Sequence, residues 1–263
     1  PSTGIQHKAN NKEKKYYLIT ASSLNDWMVM VSAFYPVKPS NVIITGSPRN
    51  DFVKCDENKL PELQVKQLNG LKDKLGSKKL VVYAPTYREI NLGGKSYNFS
   101  EDELKELKQL LDKHNAVLGF RLHYHNRNIN YNQIIDNEYF IDLDQTFFPD
   151  MSVIIRAAEV VISDYSGLMI DTLYANKTII NFTYDYAHYG LKERGFSYPL
   201  DLIAPLPLCY NFQQLTHYLD KALSNDLLEY QEKYKTSQKL FFENHDASNS
   251  KRLVDFLKKS LCL

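Results

Sequence analysis

The stretch Val160-Val161-Ile162-Ser163-Asp164-Tyr165-Ser166-Gly167-Leu168-Met169-Ile170-Asp171 decides the fold. A short apolar run passes into a small polar turn, and the turn passes into a helical pattern. In an open parallel sheet such a turn lies at the carboxyl end of a strand, where ligands bind. Ser166 and Gly167 put backbone N–H groups and a hydroxyl at the positive end of a helix dipole, the makings of a phosphate cradle. Ser and Asp are also common N-caps, so an ordinary capped strand-to-helix turn fits the same spacing. The residues alone leave both readings open.

Outward from this stretch the same alternation continues. Tyr16–Ala21, Val42–Thr45, Leu80–Ala84, Val117–Leu122, Tyr139–Ile141, Val160–Ser163 and Thr178–Phe182 read as buried strands, rich in Val, Ile, Leu and Tyr. Between them lie helical patterns. Ser100 followed by Glu103 spells a capping box ahead of Leu104, Leu107 and Leu111. Asp150 precedes an apolar face of Met151, Ile154, Ile155 and Ala158. Strands alternating with helices predict an α/β fold with a parallel sheet covered on both sides. A seam is expected near residues 50–78, where Gly46-Ser47-Pro48-Arg49-Asn50-Asp51 breaks the pattern and a polar helix over about Leu60–Leu75 follows. Residues 76–245 then read as one complete domain, residues 1–75 as the last part of a preceding one, and 246–263 as a terminal helix.

Two further turns follow strands and carry ligand-type residues. Pro85-Thr86-Tyr87-Arg88 offers a guanidinium beside a hydroxyl, a pairing that suits a diphosphate. A surface ion pair, for instance with Glu89, fits Arg88 equally well. Arg121-Leu122-His123-Tyr124-His125 places two histidines on one strand face, without a third ligand at a metal-binding spacing. Three polar, positively inclined turns at one end of one sheet point to an anionic ligand, a nucleotide above all. Tyr184-Asp185-Tyr186 through Arg194-Gly195-Phe196 reads either as a wall over that ligand or as a packed loop.

Composition narrows the class. Of 263 residues, 43 % are hydrophobic and 24 % charged, which excludes disorder and fibrous repeats. Lys and Arg number 32 against 31 Asp and Glu, so the excess of basic residues typical of a nucleic-acid binder is missing. No apolar run approaches the roughly 20 residues that span a bilayer, and no export signal opens the chain, so a cytoplasmic place is expected. Cys55, Cys209 and Cys262 lie far apart, which argues against zinc or a disulfide framework. The opening on Pro1 rather than Met reads as a piece of a longer protein.

Taken in order, Gly46-Ser47-Pro48-Arg49-Asn50-Asp51, Ala84-Pro85-Thr86-Tyr87-Arg88, Arg121-Leu122-His123, Ser163-Asp164-Tyr165-Ser166 with Asp171, Tyr184-Asp185, Tyr189 and Arg194-Gly195 resemble the CDP-glycerol:poly(glycerophosphate) glycerophosphotransferase family. These are polymerases and primases of teichoic acids and related capsules, and the similarity spans about residues 1–255. The resemblance implies a GT-B-like fold: one complete Rossmann-like donor-binding domain, the remnant of a second, and a last helix packing back on the first part. It implies transfer of glycerol phosphate, or a related polyol phosphate, from a CDP-alcohol donor to a lipid-linked polymer acceptor, with release of CMP. It implies no cofactor or metal, no nucleic-acid partner, and a peripheral contact with the inner membrane face. The His-Gly pair that supplies the family's proposed base is not in this sequence.

Roles follow from the same resemblance. Arg88 and His123 are expected on the diphosphate, with His123 as proton donor to the leaving phosphate. Ser166 and Gly167 cradle a phosphate with help from Thr86, and Arg121, Ser163 and Asp164 complete the substrate-binding set. Asp171 reaches a sugar hydroxyl or caps structure, and Arg194 is a secondary anion contact. Tyr124 stands where the family usually has Pro, Gly167 where it has a second Ser, and Leu206 where it has Gly. A GT-B glycosyltransferase using a nucleotide-sugar and a non-catalytic nucleotide-binding remnant remain the alternatives.

Overall fold

Short uninterrupted apolar runs build a parallel sheet here because both faces of the sheet are covered. The computed structural model describes residues 18–88, 92–122, 133–193, 195–196 and 198–261. The first portion holds β1 (Ile19–Ala21), α1 (Leu24–Ala33), β2 (Val42–Ile44) and α2 (Asp51–Lys54), and α3 (Glu62–Leu75) leads out of it. The second portion runs β3 (Lys79–Tyr83), α4 (Glu101–Lys113), β4 (Ala116–Phe120), β5 (Phe140–Asp142), α5 (Met151–Ala157), β6 (Ala158–Ser163), α6 (Leu168–Tyr174) and β7 (Thr178–Asn181). Then α7 (Tyr186–Lys192), α8 (Leu200–Ile203), α9 (Phe212–Leu223), α10 (Gln231–Phe241) and α11 (Asn249–Leu261) complete the chain.

Two sheets result. β1 and β2 pair in parallel, and the larger sheet has the order β5-β4-β3-β6-β7 with every pairing parallel. Along β3 the side chains alternate between two cores. Leu80 and Val82 join Val117, Ile141, Val161 and Ile179 under α3, α5 and α6. Val81 and Tyr83 join Leu118, Phe120, Val160, Ile162 and Ile180 under α4 and α9. Burial on both faces explains why these strands read as continuous apolar runs rather than alternating ones. The expected capping box is present, Ser100 Oγ accepting from Glu103 N while Glu103 accepts from Ser100 N.

The chain leaves β3 to build β4 and β5 on one side, then returns to build β6 and β7 on the other. The strand order therefore reverses between β3 and β6. In doubly wound sheets the crevice at such a reversal is where ligands bind.

The segment between β2 and α2 is a joint. Asp51 accepts from the backbone N–H of Asn249 and of Ser250, both at 2.8 Å, and so caps α11 across the fold. Asn249 donates to Ser47 O and to the Tyr174 hydroxyl, and Arg252 donates to Thr45 O. Gly46 sits at φ +80, and a Cβ there would lie 2.0 Å from Asn249 Oδ1. Only glycine meets both conditions.

Gly46→Ala is expected to cost about 2–4 kcal/mol of stability, combining backbone strain with a clash against buried Asn249. Gly167 has an ordinary φ of −57 and open space at its Cβ position. Gly167→Ala should change stability by less than about 0.5 kcal/mol. Urea unfolding of the two variants side by side checks both values.

Candidate functional site

The β3 and β6 turns meet over one carboxylate. Asp164 follows the last residue of β6 and is 2 % exposed. Its Oδ1 accepts from Thr86 N at 2.9 Å, Thr86 Oγ1 at 2.5 Å and Tyr165 N at 2.7 Å. Its Oδ2 accepts from Arg88 Nη2 at 2.7 Å. Beside it Ser163 Oγ donates to Ala84 O at 2.7 Å, tying the two strand ends together a second time. Thr86, Arg88, Ser163, Asp164, Ser166 and Gly167 are thus brought to one place, at the sheet's point of reversal.

Arg88 faces inward. It is 1 % exposed, and its guanidinium donates to Asp164, to both oxygens of Asp185, and to Thr86 O. The rings of Tyr165, Tyr184 and Tyr189 stand 5.2, 5.4 and 5.3 Å from its Cζ, within cation–π range. Burial works against its charge, but Asp164 and Asp185 outweigh that and hold its pKa above the ordinary arginine value. The guanidinium fork that suited a diphosphate on sequence grounds is engaged by protein carboxylates. Its geometry is that of an organiser.

Asp185 and the aromatic group around it, singled out in the sequence, carry a role that the sequence did not assign: they enclose Arg88. Tyr165 donates to Asp185 Oδ1 at 2.9 Å and stacks on Tyr189 with ring centres 4.0 Å apart. Burial, then Asp185, raises the Tyr165 pKa. In the sequence these residues stood out as an aromatic cluster after a strand and as part of the family resemblance, neither of which pairs Asp185 with Arg88.

The open donors of the site are small. Ser166 is half-buried and Gly167 exposed. Ser166 Oγ accepts from Leu168 N at 3.2 Å, and among the described residues no group accepts from its O–H. Among the described residues no group accepts from the backbone N–H of Ser166 or of Gly167.

Arg121 and Asp171 stand apart from this turn. Arg121 follows β4, and its Nη1 donates to Leu143 O and Phe148 O at 2.7 and 2.8 Å, pinning the loop after β5. Burial lowers its pKa. Asp171 accepts from Arg49 Nε and Nη2 at 3.2 and 3.1 Å, joining α6 to the segment after β2. Its side chain is 17 % exposed against 69 % for Arg49. This ion pair is a structural contact, in keeping with the second of the two expectations for Asp171. His123 and Arg194 lie outside the described residues. Among the described residues no group of three His, Cys, Asp or Glu side chains is placed to hold a metal, and no helix is long and apolar enough to cross a membrane.

The fold is that of a doubly wound α/β protein, with the Asp164–Gly167 turn at its topological switch point. The chain belongs to the CDP-Glycerol:Poly(glycerophosphate) glycerophosphotransferase family, whose model matches residues 2–259. It is 28 % identical to the teichoic acid ribitol-phosphate polymerase TarK of Staphylococcus aureus (strain NCTC 8325 / PS 47), over 92 % of this chain and 45 % of that protein. It is 27 % identical to the teichoic acid glycerol-phosphate transferase of the same organism, over 88 % of this chain and 57 % of the relative. The wall teichoic acid polymerase TagF shares the fold, with a TM-score of 0.73 and 23 % identity over 93 % of this chain and 57 % of the other. S. aureus MnaA, solved with UDP, shares it more distantly, with a TM-score of 0.55 and 16 % identity over 94 % of this chain and 61 % of that one. The chain thus spans about half the length of the curated relatives it matches.

Removing Arg88 leaves Asp164 and Asp185 buried without their cation. Arg88→Ala is expected to cost about 3–5 kcal/mol in chemical denaturation, and Arg88→Lys should recover little because ammonium lacks the fork. A loss below about 1 kcal/mol would contradict the organising role.

Burial raises the Asp171 pKa and Arg49 only partly offsets it. A carboxyl whose folded pKa lies above its unfolded value binds more protons when folded. Stability therefore falls as pH rises from the ordinary carboxylate value through the raised one. Asp171→Asn should stabilise the chain at neutral pH, with the gain vanishing below about pH 4. Urea titrations at the two pH values test the sign.

Proposed function

We propose that this chain carries the nucleotide-donor site of a CDP-alcohol-dependent polyol-phosphate transferase. The observation that carries the reading is the turn after β6. It holds a hydroxyl and two backbone N–H groups from which no group among the described residues accepts, at the sheet's switch point, and membership of the family supports reading them as donors to a phosphate. Relatives named for glycerol phosphate and for ribitol phosphate both match, so the donor class is a CDP-polyol with glycerol as its first member. TagF has been solved after soaking with the compound abbreviated CDPG, in keeping with such a donor for that protein.

In the proposed reaction a hydroxyl of the growing polymer attacks the β-phosphorus of the CDP-alcohol. The new P–O bond forms as the bond to the CMP oxygen breaks, the hydroxyl's proton passes to the family's proposed His-Gly base, which is not in this sequence, and CMP leaves. Phosphoryl transfer asks mainly for positioning and charge neutralisation. Ser166 O–H and the N–H groups of Ser166 and Gly167 meet a phosphate oxygen directly. Thr86, Ser163, Asp164 and Arg88 hold that turn in place from behind. His123, by resemblance, hydrogen-bonds or protonates the departing phosphate, and Arg194 adds a second anion contact. The acceptor is a lipid-linked polymer, met at the inner membrane face.

Calorimetric titration of the chain with CMP, CDP-glycerol and UDP tests the reading. CMP and CDP-glycerol should bind and UDP should bind more weakly. Ser166→Ala should weaken CMP roughly three- to ten-fold, since one hydroxyl donor is lost and the amides stay. His123→Ala should weaken CMP increasingly as pH falls below about 6.5, where imidazole is charged. Equal affinity for UDP would move the donor to the nucleotide-sugar class. A folded chain that binds no nucleotide would overturn the proposal.

A further inference from the structure

We infer that Asn181 is a positioning residue for the Ser166–Gly167 turn, gripping its entry and its exit so that the two free N–H groups face the crevice. The inference rests on the phosphate-binding reading of that turn. Asn181 closes β7 and lies in register with Ser163 of β6. It is fully buried, although it stands in the otherwise apolar run Thr178-Ile179-Ile180-Asn181-Phe182. Its Nδ2 donates to the carbonyl oxygen of Asp164 at 3.0 Å, on the way into the turn. The same nitrogen lies 3.6 Å from Sδ of Met169, in the first turn of α6 on the way out.

One peptide plane explains why this matters. The Asp164–Tyr165 peptide has its C=O held by Asn181 and its N–H held by the Asp164 carboxylate at 2.7 Å. With both ends fixed, the plane cannot rotate. The chain therefore enters the Ser166–Gly167 turn from a fixed peptide plane. Meanwhile Asn181 Oδ1 has no hydrogen-bond partner among the described residues. A buried amide with one oxygen unsatisfied is a poor choice for packing, and Leu or Phe would fill such a strand end better. What only the amide supplies is the donor to Asp164 O.

The test separates aim from general stability by comparing two ligands, CMP and cytidine, which differ in the phosphate. Asn181→Leu should lower CMP affinity about five-fold or more while cytidine binds as it does to wild type, both followed by ligand-observed NMR titration. Asn181→Ala, which introduces neither bulk nor charge, makes the same comparison if the leucine variant does not fold. Unchanged CMP affinity in a folded variant would overturn the inference. So would parallel weakening of CMP and cytidine, the mark of a residue that only supports the fold. Failure of the underlying reading looks different, because wild type would then show no preference for CMP over cytidine.

Discussion

The buried carboxylate of Asp164 is the constraint on which the site depends. It gathers donors from two strand-end turns and from its own neighbour, and one of those donors is a guanidinium sealed from water. Two charges of opposite sign in a dry interior hold only when geometry and remaining hydrogen bonds are satisfied. Here Asp185 takes the other edge of Arg88, Thr86 O takes its Nη1, and three tyrosine faces surround it. The arrangement cannot be loosened piecemeal, because each partner removed leaves a charge without compensation. The ends of β3 and β6 are therefore fixed relative to each other, and so is the crevice between them.

Much of the architecture was legible in the sequence for a plain physical reason. A parallel sheet covered on both faces needs strands apolar on both sides, so β3, β4, β6 and β7 appear as short unbroken runs. The capping box at Ser100 is a local device, with donor and acceptor a few residues apart, and it formed as read. Pairings across the fold were not legible. Nothing near Arg88 in the sequence announces that Asp164 and Asp185 wait for it inside. The same holds for Asp171, whose partner Arg49 arrives from the other sheet, and for Asp51, which caps a helix at the far end of the chain. Asn181 was visible as a polar residue in an apolar strand, but one unpaired letter does not say what it holds.

The joint between the two portions follows the same logic of distant polar partners. Asn249, Tyr174, Asp51 and Gly46 come from four elements and fit without room for a methyl group at Gly46. Such a knot transmits position rather than absorbing motion, since buried polar groups lose their partners if either side slides. Arg49 extends it to Asp171, three residues into α6. The helix that follows the candidate phosphate turn is thereby braced at one end by Asn181 and Asp164 and along its length by the segment after β2.

These commitments decide what is left to meet a ligand. Arg88, expected on the diphosphate, is enclosed, and Arg121 holds backbone carbonyls. At the switch point no group among the described residues accepts from the backbone N–H of Ser166 or Gly167, and Ser166 adds a half-buried hydroxyl beside them. Recognition built on the main chain depends on where a turn is held more than on which side chains it displays. The family's usual second Ser is replaced here by Gly167 without loss of the N–H, and the empty space above Gly167 shows that the turn would accept the larger residue unchanged. Asp164, Arg88 and Asn181 are buried behind the turn and set where it is held, while the side chain at position 167 can change without meeting a neighbour.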